Sequence, residues 1–291
     1  MSQVIHPESP GLLRRIIAFP LTLLVIGFVG IAAVGIGLGT LYQRLGFAPN
    51  TPEKAFGALL IAAGTIVAYK AYKRWIERAP DKELEFAGAL PELGAGLLIG
   101  FVLFSAMTGI VALLGGFEVL GWRGGVGAIW TWLAIAVVSG TLEEVLFRGI
   151  LQRHLEAVFG SWIALAITSA LFGLGHIFNP DASLFAAFAI AVEAGILLGA
   201  AYMLTRRLWL AIGIHAAWNF TQGWVFSVPV SGGEVPLGLF ITRRTGPDWL
   251  TGGDFGLEAS VVAMVVATLA GVLMLRRALA NRQVVAPMWR R

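Results

Sequence analysis

Long apolar runs separated by short polar segments dominate the chain. A helix that crosses the hydrocarbon core of a bilayer needs about 20 mostly apolar residues. By this criterion the pattern predicts about eight transmembrane helices, at roughly residues 16–42, 55–76, 91–115, 126–148, 162–178, 183–204, 208–227 and 258–279. The longest polar segments between them are 77–90 and 231–257. The sequence therefore predicts an all-α, polytopic membrane protein.

The composition agrees with this prediction. Hydrophobic residues make up 57% of the chain and charged residues 13%, and the mean hydropathy is +0.80. A soluble domain carries about 25% charged residues. Cysteine is absent, which excludes disulfides, a cysteine nucleophile and thiolate metal ligands.

The basic residues indicate the orientation of the chain rather than a nucleic-acid partner. With the N-terminus in the cytoplasm, about three quarters of the 21 Lys and Arg residues fall in cytoplasmic segments, as the positive-inside rule requires. We therefore expect both termini to be cytoplasmic and the chain to be a multi-pass protein of the plasma (inner) membrane. Anionic lipids of the bilayer then account for the basic pI near 9.8, and no nucleic-acid partner is expected.

Few ionisable residues fall inside the predicted helices, where they are costly and usually functional. They are Glu143, Glu144 and Arg148 in the fourth helix, His176 in the fifth, Glu193 in the sixth and His215 in the seventh. Glu144 and Arg148 are four residues apart, so they share a helix face and can pair. Glu143 lies on another face, and it needs a partner on another helix or a proton.

Other polar positions repeat the four-residue spacing. Phe172 and His176 share one face of the fifth helix, and His215 and Asn219 share one face of the seventh. Gly160 is the expected turn between the fourth and fifth helices. Because Glu143 and His176 are nearly equidistant from this turn, an antiparallel hairpin places them at the same height.

These side chains suit the hydrolysis of an acyl bond. A carboxylate in a low dielectric can take a proton from water, and a histidine can orient that water or protonate a leaving amine. A second histidine and an amide nitrogen can donate to a developing oxyanion. We therefore expect these groups to meet in one membrane-embedded site.

Three motifs in this region resemble those of a known family. The stretch GTLEEVLFRGIL, residues 140–151, is similar to the EExxxR motif of the CPBP intramembrane proteases. FGLGH, residues 172–176, resembles the second motif, FxxxH, and HAAWN, residues 215–219, the third, HxxxN. That family includes the CAAX prenyl proteases and bacteriocin-processing and immunity-type relatives. The resemblance implies a four-helix catalytic core over 126–227, between a segment of three transmembrane helices over 1–125 and a loop with a last helix over 228–291.

The resemblance also implies roles for individual residues. Glu143 would activate the water with the help of His176, and His215 and Asn219 would stabilise the oxyanion. Glu144, Arg148 and Phe172 would support the site. The substrate would be a membrane-associated peptide or protein, reached from the cytoplasm or laterally, and no cofactor would be required.

Several alternatives stay open at this level. Glu143, His176 and His215 could instead hold zinc as a His₂Glu set. The chain could be a catalytically silent immunity or scaffold protein, or a proton-coupled transporter. The transporter hypothesis requires Glu193 to line the same cavity as the histidines. The simpler interpretation of Glu193 is a neutral carboxyl that bonds to a neighbouring helix.

Overall fold

The structure is a computed structural model that describes residues 11–234 and 237–291, and almost all of its regular elements are helical. Residues 1–10, in the predicted segment 1–125, and residues 235–236, in the predicted segment 228–291, lie outside the described residues. The α-helices are α1 Leu12–Ile17, α2 Pro20–Arg44, α3 Pro52–Ala71, α4 Ala89–Leu113, α5 Ile129–Glu144, α6 Arg153–Gly175, α7 Leu184–Ile190, α8 Ile196–Thr205, α9 Trp209–Phe220, α10 Asp248–Thr251 and α11 Val261–Ala280. The all-α class and the polytopic membrane character are confirmed.

Several helices change to π-helical geometry along their length. The π-helical segments are Tyr72–Glu77 after α3, Val145–Gln152 between α5 and α6, Ala191–Gly195 between α7 and α8, and Thr221–Val225 after α9. Such wide turns are rare and frequently occur at functional sites. Sequence periodicity gave no sign of them, because a π-helical turn disturbs the helical repeat only locally.

Within the described residues, six helical stretches are long and apolar enough to cross a membrane. One of them, Ile129–Phe178, has 50 residues and contains two of the predicted helices. Gly160 breaks it at φ 77° and ψ 169°, a backbone conformation that a side chain would strain. The seventh predicted helix consists of the 12-residue α9 and the 5-residue π-helical segment behind it, which together are shorter than a full crossing.

A small antiparallel sheet is present that the sequence reading did not predict. Strand β1, Phe117–Trp122, follows α4, and strand β2, Phe240–Arg244, precedes α10. The two strands are more than a hundred residues apart along the chain, so no local hairpin pattern announced them. The segment that carries β2 is thereby fixed against the segment that follows α4.

Glycines bring α9 close to two neighbouring helices. A Cβ atom at Gly96 or Gly100 of α4 would collide with the backbone of α9 at Leu210 and Ile214 respectively. A Cβ atom at Gly140 of α5 would lie 3.0 Å from the backbone nitrogen of Ala216. Small residues at helix contacts allow such close approach in membranes. The helix that carries His215 and Asn219 is therefore held tightly between α4 and α5.

Candidate active site

A chain of buried polar contacts joins α5, α9 and the π-helical segment before α8. Arg148 Nη1 donates to Glu144 Oε1 at 2.8 Å, the ion pair that the four-residue spacing predicts. His215 Nδ1 donates to the same oxygen at 2.8 Å. Arg148 Nη2 also donates to the carbonyl oxygen of Ala194 at 3.1 Å. Glu144 is completely buried, so these contacts fix the position of His215 in a region without solvent.

Glu143 stands apart from this chain of contacts. Its side chain is 32% exposed, and it forms no ion pair with Lys or Arg in the described part of the chain. The nearest charge partner is His215, whose Nε2 lies 4.0 Å from Glu143 Oε2. The separation is too long for a direct hydrogen bond and short enough for one water molecule to bridge the two atoms.

His176 follows α6 at the start of the 3₁₀ turn His176–Phe178. Its Nδ1 donates to the carbonyl oxygen of Phe172 at 2.7 Å, which leaves Nε2 with a lone pair in the neutral ring. Within the described residues His176 makes no hydrogen bond to Glu143. The structure therefore places His215, rather than His176, beside Glu143.

Phe172 packs against the charged and imidazole groups of the site. Its ring centroid lies 4.9 Å from that of His176 and 6.1 Å from that of His215, and the guanidinium carbon of Arg148 lies 4.7 Å from the same centroid. A cation over an aromatic face is attracted by the ring quadrupole. The ring also contacts Phe147 at 4.9 Å, which shows that the two arms around Gly160 lie side by side.

Asn219 is oriented by a residue that the sequence reading missed. Its Nδ2 donates to Ser139 Oγ at 3.0 Å, and Ser139 Oγ donates in turn to the carbonyl oxygen of Ile135 at 2.9 Å. Ser139 precedes Glu143 by one helical turn on α5, and this spacing is the one signal that could have identified it. One amide hydrogen of Asn219 remains available for a ligand.

A cavity of about 30 Å³ joins these groups, which is room for about two water molecules. His176, His215 and Asn219 line it together with Phe172. Glu193 and Glu258 line it as well, although neither belongs to the three motifs. Among the described residues Oε2 of Glu193 is buried without a hydrogen-bond partner, so the bond to a neighbouring helix that the simpler interpretation requires stays a prediction.

The donor groups do not fit a zinc site in this arrangement. No group of three or more His, Asp or Glu among the described residues is placed to hold a metal ion. Nδ1 of His215 bonds to Glu144 and Nδ1 of His176 to a carbonyl oxygen, so Nε2 is the open nitrogen of each ring, and these two nitrogens and the Glu143 carboxylate do not form such a group.

Comparison with protein families identifies the class of the chain. Residues 125–221 match the family described as Rce1-like, type II CAAX prenyl endopeptidase Rce1-like. The matched residues make up about a third of the chain and include all three motifs. The resemblance is therefore confirmed for this segment: it is similar to the CPBP/CAAX protease family, which supports a CAAX-type intramembrane protease as the general class. Comparison with curated proteins and with solved structures gave no significant match.

Proposed function

We propose that the chain is an intramembrane endopeptidase that hydrolyses a peptide bond of a membrane-associated substrate with an activated water molecule. One observation carries the proposal. His176 from the 3₁₀ turn after α6 and His215 and Asn219 from α9 line one cavity, and the carboxylate of Glu143 lies 4.0 Å from His215. The family match supports the general class, and the residue roles below rest on the geometry.

In the proposed mechanism Glu143 is the general base. It is the one carboxylate of the EExxxR motif that Arg148 does not neutralise. A water molecule held between Glu143 and the imidazoles would lose a proton to the carboxylate as it attacks the scissile carbonyl. His176 would orient this water, because its Nε2 lone pair can accept a hydrogen bond.

His215 and Asn219 would stabilise the oxyanion. Glu144 accepts the Nδ1 hydrogen of His215, so the imidazolium form would present its Nε2 hydrogen to a ligand. Asn219 would add the amide hydrogen that Ser139 does not use. Donors fixed in advance contribute most to catalysis where water is excluded, and both side chains are buried.

The first test compares the wild type with Glu143→Gln in detergent. The substrates are a fluorogenic CAAX-type peptide with and without a prenyl group and a mixed library of membrane peptides. We expect cleavage by the wild type, its loss in Glu143→Gln, and normal cleavage by Glu53→Gln, a control at an exposed carboxylate of α3. Equal cleavage by wild type and Glu143→Gln would show that Glu143 is not the base.

A chelator arm tests the assignment of the base against metal chemistry. We expect cleavage to survive the chelator, because Glu143 and the two histidines are not grouped as metal ligands. Cleavage that the chelator abolishes and added zinc restores would overturn the proposed roles of these residues.

The placement in the cell is part of the same proposal. We propose that the plasma (inner) membrane holds the chain with both termini in the cytoplasm, that residues 126–227 form the catalytic core, and that the substrate arrives from the cytoplasm or laterally. The chain has no native cysteine, so single cysteines can be introduced in each loop and labelled with a membrane-impermeant reagent. Labelling of the terminal positions from outside intact cells would contradict the orientation.

A proton-coupled transporter is a second candidate, and one observation favours it. Glu193 lines the same cavity as His176 and His215, and it lies on the π-helical segment Ala191–Gly195, which interrupts a membrane helix. Buried carboxyls and histidines form proton relays in transporters. Proton uptake into proteoliposomes that Glu193→Gln abolishes would support this candidate, and proteoliposomes without any such uptake would exclude it.

A further inference from the structure

Two carboxyl groups outside the three motifs form part of the cavity wall. Glu193 reaches it from the π-helical segment Ala191–Gly195, and Glu258 from the 3₁₀ turn Leu257–Ala259 before α11. Their relative exposures are 1% and 2%, and neither forms an ion pair in the part of the chain that the structure describes. A buried carboxylate without a cation is costly, so this pair is a feature that packing alone does not explain.

The two carboxyls differ in their hydrogen bonds. The backbone N–H of Ser231 donates to Glu258, which the loop after α9 thus holds in place. Glu193 has no such support, because its Oε2 is buried without a partner. An open acceptor of this kind, in a wall of the cavity, requires a donor from a ligand or from water.

A second polar group without a hydrogen-bond partner lies in the same wall of the cavity. The indole N–H of Trp218 is buried and has no hydrogen-bond acceptor. Trp218 lines the cavity together with the two carboxyls. A ligand that satisfies all of these groups must carry a positively charged donor for the carboxyls and a neutral acceptor for the indole. An amino acid residue with a basic side chain and its own peptide carbonyl has both.

The rest of the wall selects among basic side chains. It is formed largely by aliphatic residues, which are Ile190, Leu197, Leu198, Ile214 and Ala267. Lysine has a methylene stem that packs on apolar surface and a compact ammonium head. The guanidinium of arginine is larger and planar, so the compact ammonium head of lysine fits this small cavity better, with its methylene stem along the aliphatic wall.

The carboxyl pair is connected to the proposed catalytic residues. The carbonyl oxygens of Ala194 and Gly195, next to Glu193 in the chain, accept from Arg148 Nη2 at 3.1 and 3.4 Å. Arg148 is the partner of Glu144, which holds His215. A side chain bound at Glu193 would therefore lie in the same cavity as His176, His215 and Asn219.

We propose that Glu193 and Glu258 form a cation subsite within the catalytic cavity that binds the ammonium group of a lysine side chain of the peptide substrate. The proposal rests on the proposed protease function for its biological meaning. Binding of the lysine side chain can nevertheless be measured without cleavage.

The first arm of the test measures binding by thermal unfolding of the detergent-purified full chain. The probes are N-acetyl-lysine-N-methylamide and the norleucine analogue, which has the same stem and no ammonium group. We expect the lysine probe to raise the Tm of the wild type more than the norleucine probe does. Glu193→Gln and Glu258→Gln, measured separately and together, should abolish the difference, and Glu118→Gln, at an exposed ion pair on β1, should keep it.

Equal Tm shifts from the two probes, no shift from either, or a lysine-specific shift that survives in the double variant would each overturn the subsite. The unliganded Tm of each variant checks that it folds. If one of the two single variants does not fold, the other still tests the subsite.

The second arm measures cleavage. A peptide panel replaces one residue at a time by lysine, norleucine or arginine. We expect one position at which kcat/KM for lysine exceeds that for norleucine by at least about tenfold, with the ratio falling toward one in Glu193→Gln. Cleavage without any lysine preference would overturn the subsite and leave the protease proposal standing. Lysine-specific binding with no cleavage of any peptide would count against the protease proposal and leave the subsite standing.

Discussion

Two clusters of charged side chains in this protein differ in whether their cations match their carboxylates in number. The first, which we call the balanced cluster, consists of Lys73, Glu77, Glu83 and Arg153, near the ends of α3 and the start of α6. Arg153 contacts Glu77 through two hydrogen bonds of 2.6 and 2.7 Å, and Lys73 lies 3.1 Å from Glu77 and 3.4 Å from Glu83. It has two cations for two carboxylates, so each carboxylate is paired and the cluster holds these elements together.

The candidate active site has an excess of carboxylates. Arg148 is the cation for Glu144, and Glu143 depends on a histidine 4.0 Å away. Glu193 and Glu258 add two further carboxyl groups, and neither forms an ion pair with a cation among the residues that the structure describes. The comparison teaches that burial of charge alone does not identify a reactive site. An uncompensated charge next to a cavity is the more specific sign.

The largest expected effect comes from removing the free carboxylate. Glu143→Gln should lower kcat/KM by about 10²–10⁴, the usual contribution of a general base, and change the Tm little, because among the described residues the partly exposed side chain has only the 4.0 Å contact with His215 to lose. Glu77→Gln should do the reverse, with a lower Tm and little change in kcat/KM. Cleavage kinetics and thermal unfolding of both variants check the contrast. Loss of cleavage activity in a fully folded Glu77→Gln protein would contradict this contrast between the two clusters.

The second-largest expected effect comes from removing Arg148, the buried cation of the candidate active site. Arg148→Met leaves Glu144 buried without its main partner, which typically costs about 3–5 kcal/mol of unfolding free energy. The double variant Glu144→Gln/Arg148→Met removes both charges and should recover most of the Tm, but not the cleavage, because His215 loses its charged acceptor. Thermal unfolding and cleavage assays measure both effects. An Arg148→Met protein as stable as the wild type would contradict the energetic importance of the pair.

A smaller effect is expected in the balanced cluster. Arg153→Met leaves Glu77 and Glu83 with Lys73 alone, and we expect a loss of about 1–3 kcal/mol, because these groups keep some contact with solvent. The folded fraction should cleave peptides at the wild-type rate. The control Arg74→Met changes an exposed arginine on the same side of the molecule and should leave the Tm unchanged. If Arg153→Met abolished cleavage without unfolding the chain, the cluster could not be called purely structural.

The smallest expected effect is the change of Tm with pH. Burial raises the pKa of Glu258 from 4.5 to about 7 in the folded chain, although hydrogen bonds from Ser231 and Gln222 and the nearby His215 oppose the shift. Glu193 faces the same cavity. The folded state then binds more protons than the unfolded state between the two pKa values, so this stabilisation is lost as the pH rises through about 7.

Glu258→Gln should therefore flatten the decline of Tm between pH 5 and pH 8 by a few degrees. Thermal unfolding across this range, with Glu118→Gln as the exposed control, is the measurement. Parallel Tm curves for the wild type and Glu258→Gln would show that Glu258 is not held in its neutral form.

The sequence predicted the features that depend on local spacing. It gave the helical character of all eight apolar segments, the turn at Gly160 and the pairing of Glu144 with Arg148. Each follows from helical periodicity or from a residue with special backbone freedom. The short length of α9 was not visible, because its apolar composition continues into the π-helical segment behind it.

The features that the sequence did not predict depend on contacts between distant segments. Ser139 meets Asn219 across 80 positions, and Glu258 reaches a cavity whose histidines precede it by 43 positions or more. Strands β1 and β2 pair over a similar distance. Such contacts are selected by tertiary packing, and a single sequence contains no periodic signal for them.

The glycine contacts of α9 have a consequence for how a peptide can reach the site. Gly96 and Gly100 let α4 touch the backbone of α9, and Gly140 does the same from α5. A helix held on two sides by direct backbone contact has no soft layer of side chains that could be compressed or rearranged. His215 and Asn219 are therefore stationary parts of the protein, and the movement that admits a peptide has to occur in other elements around a fixed α9.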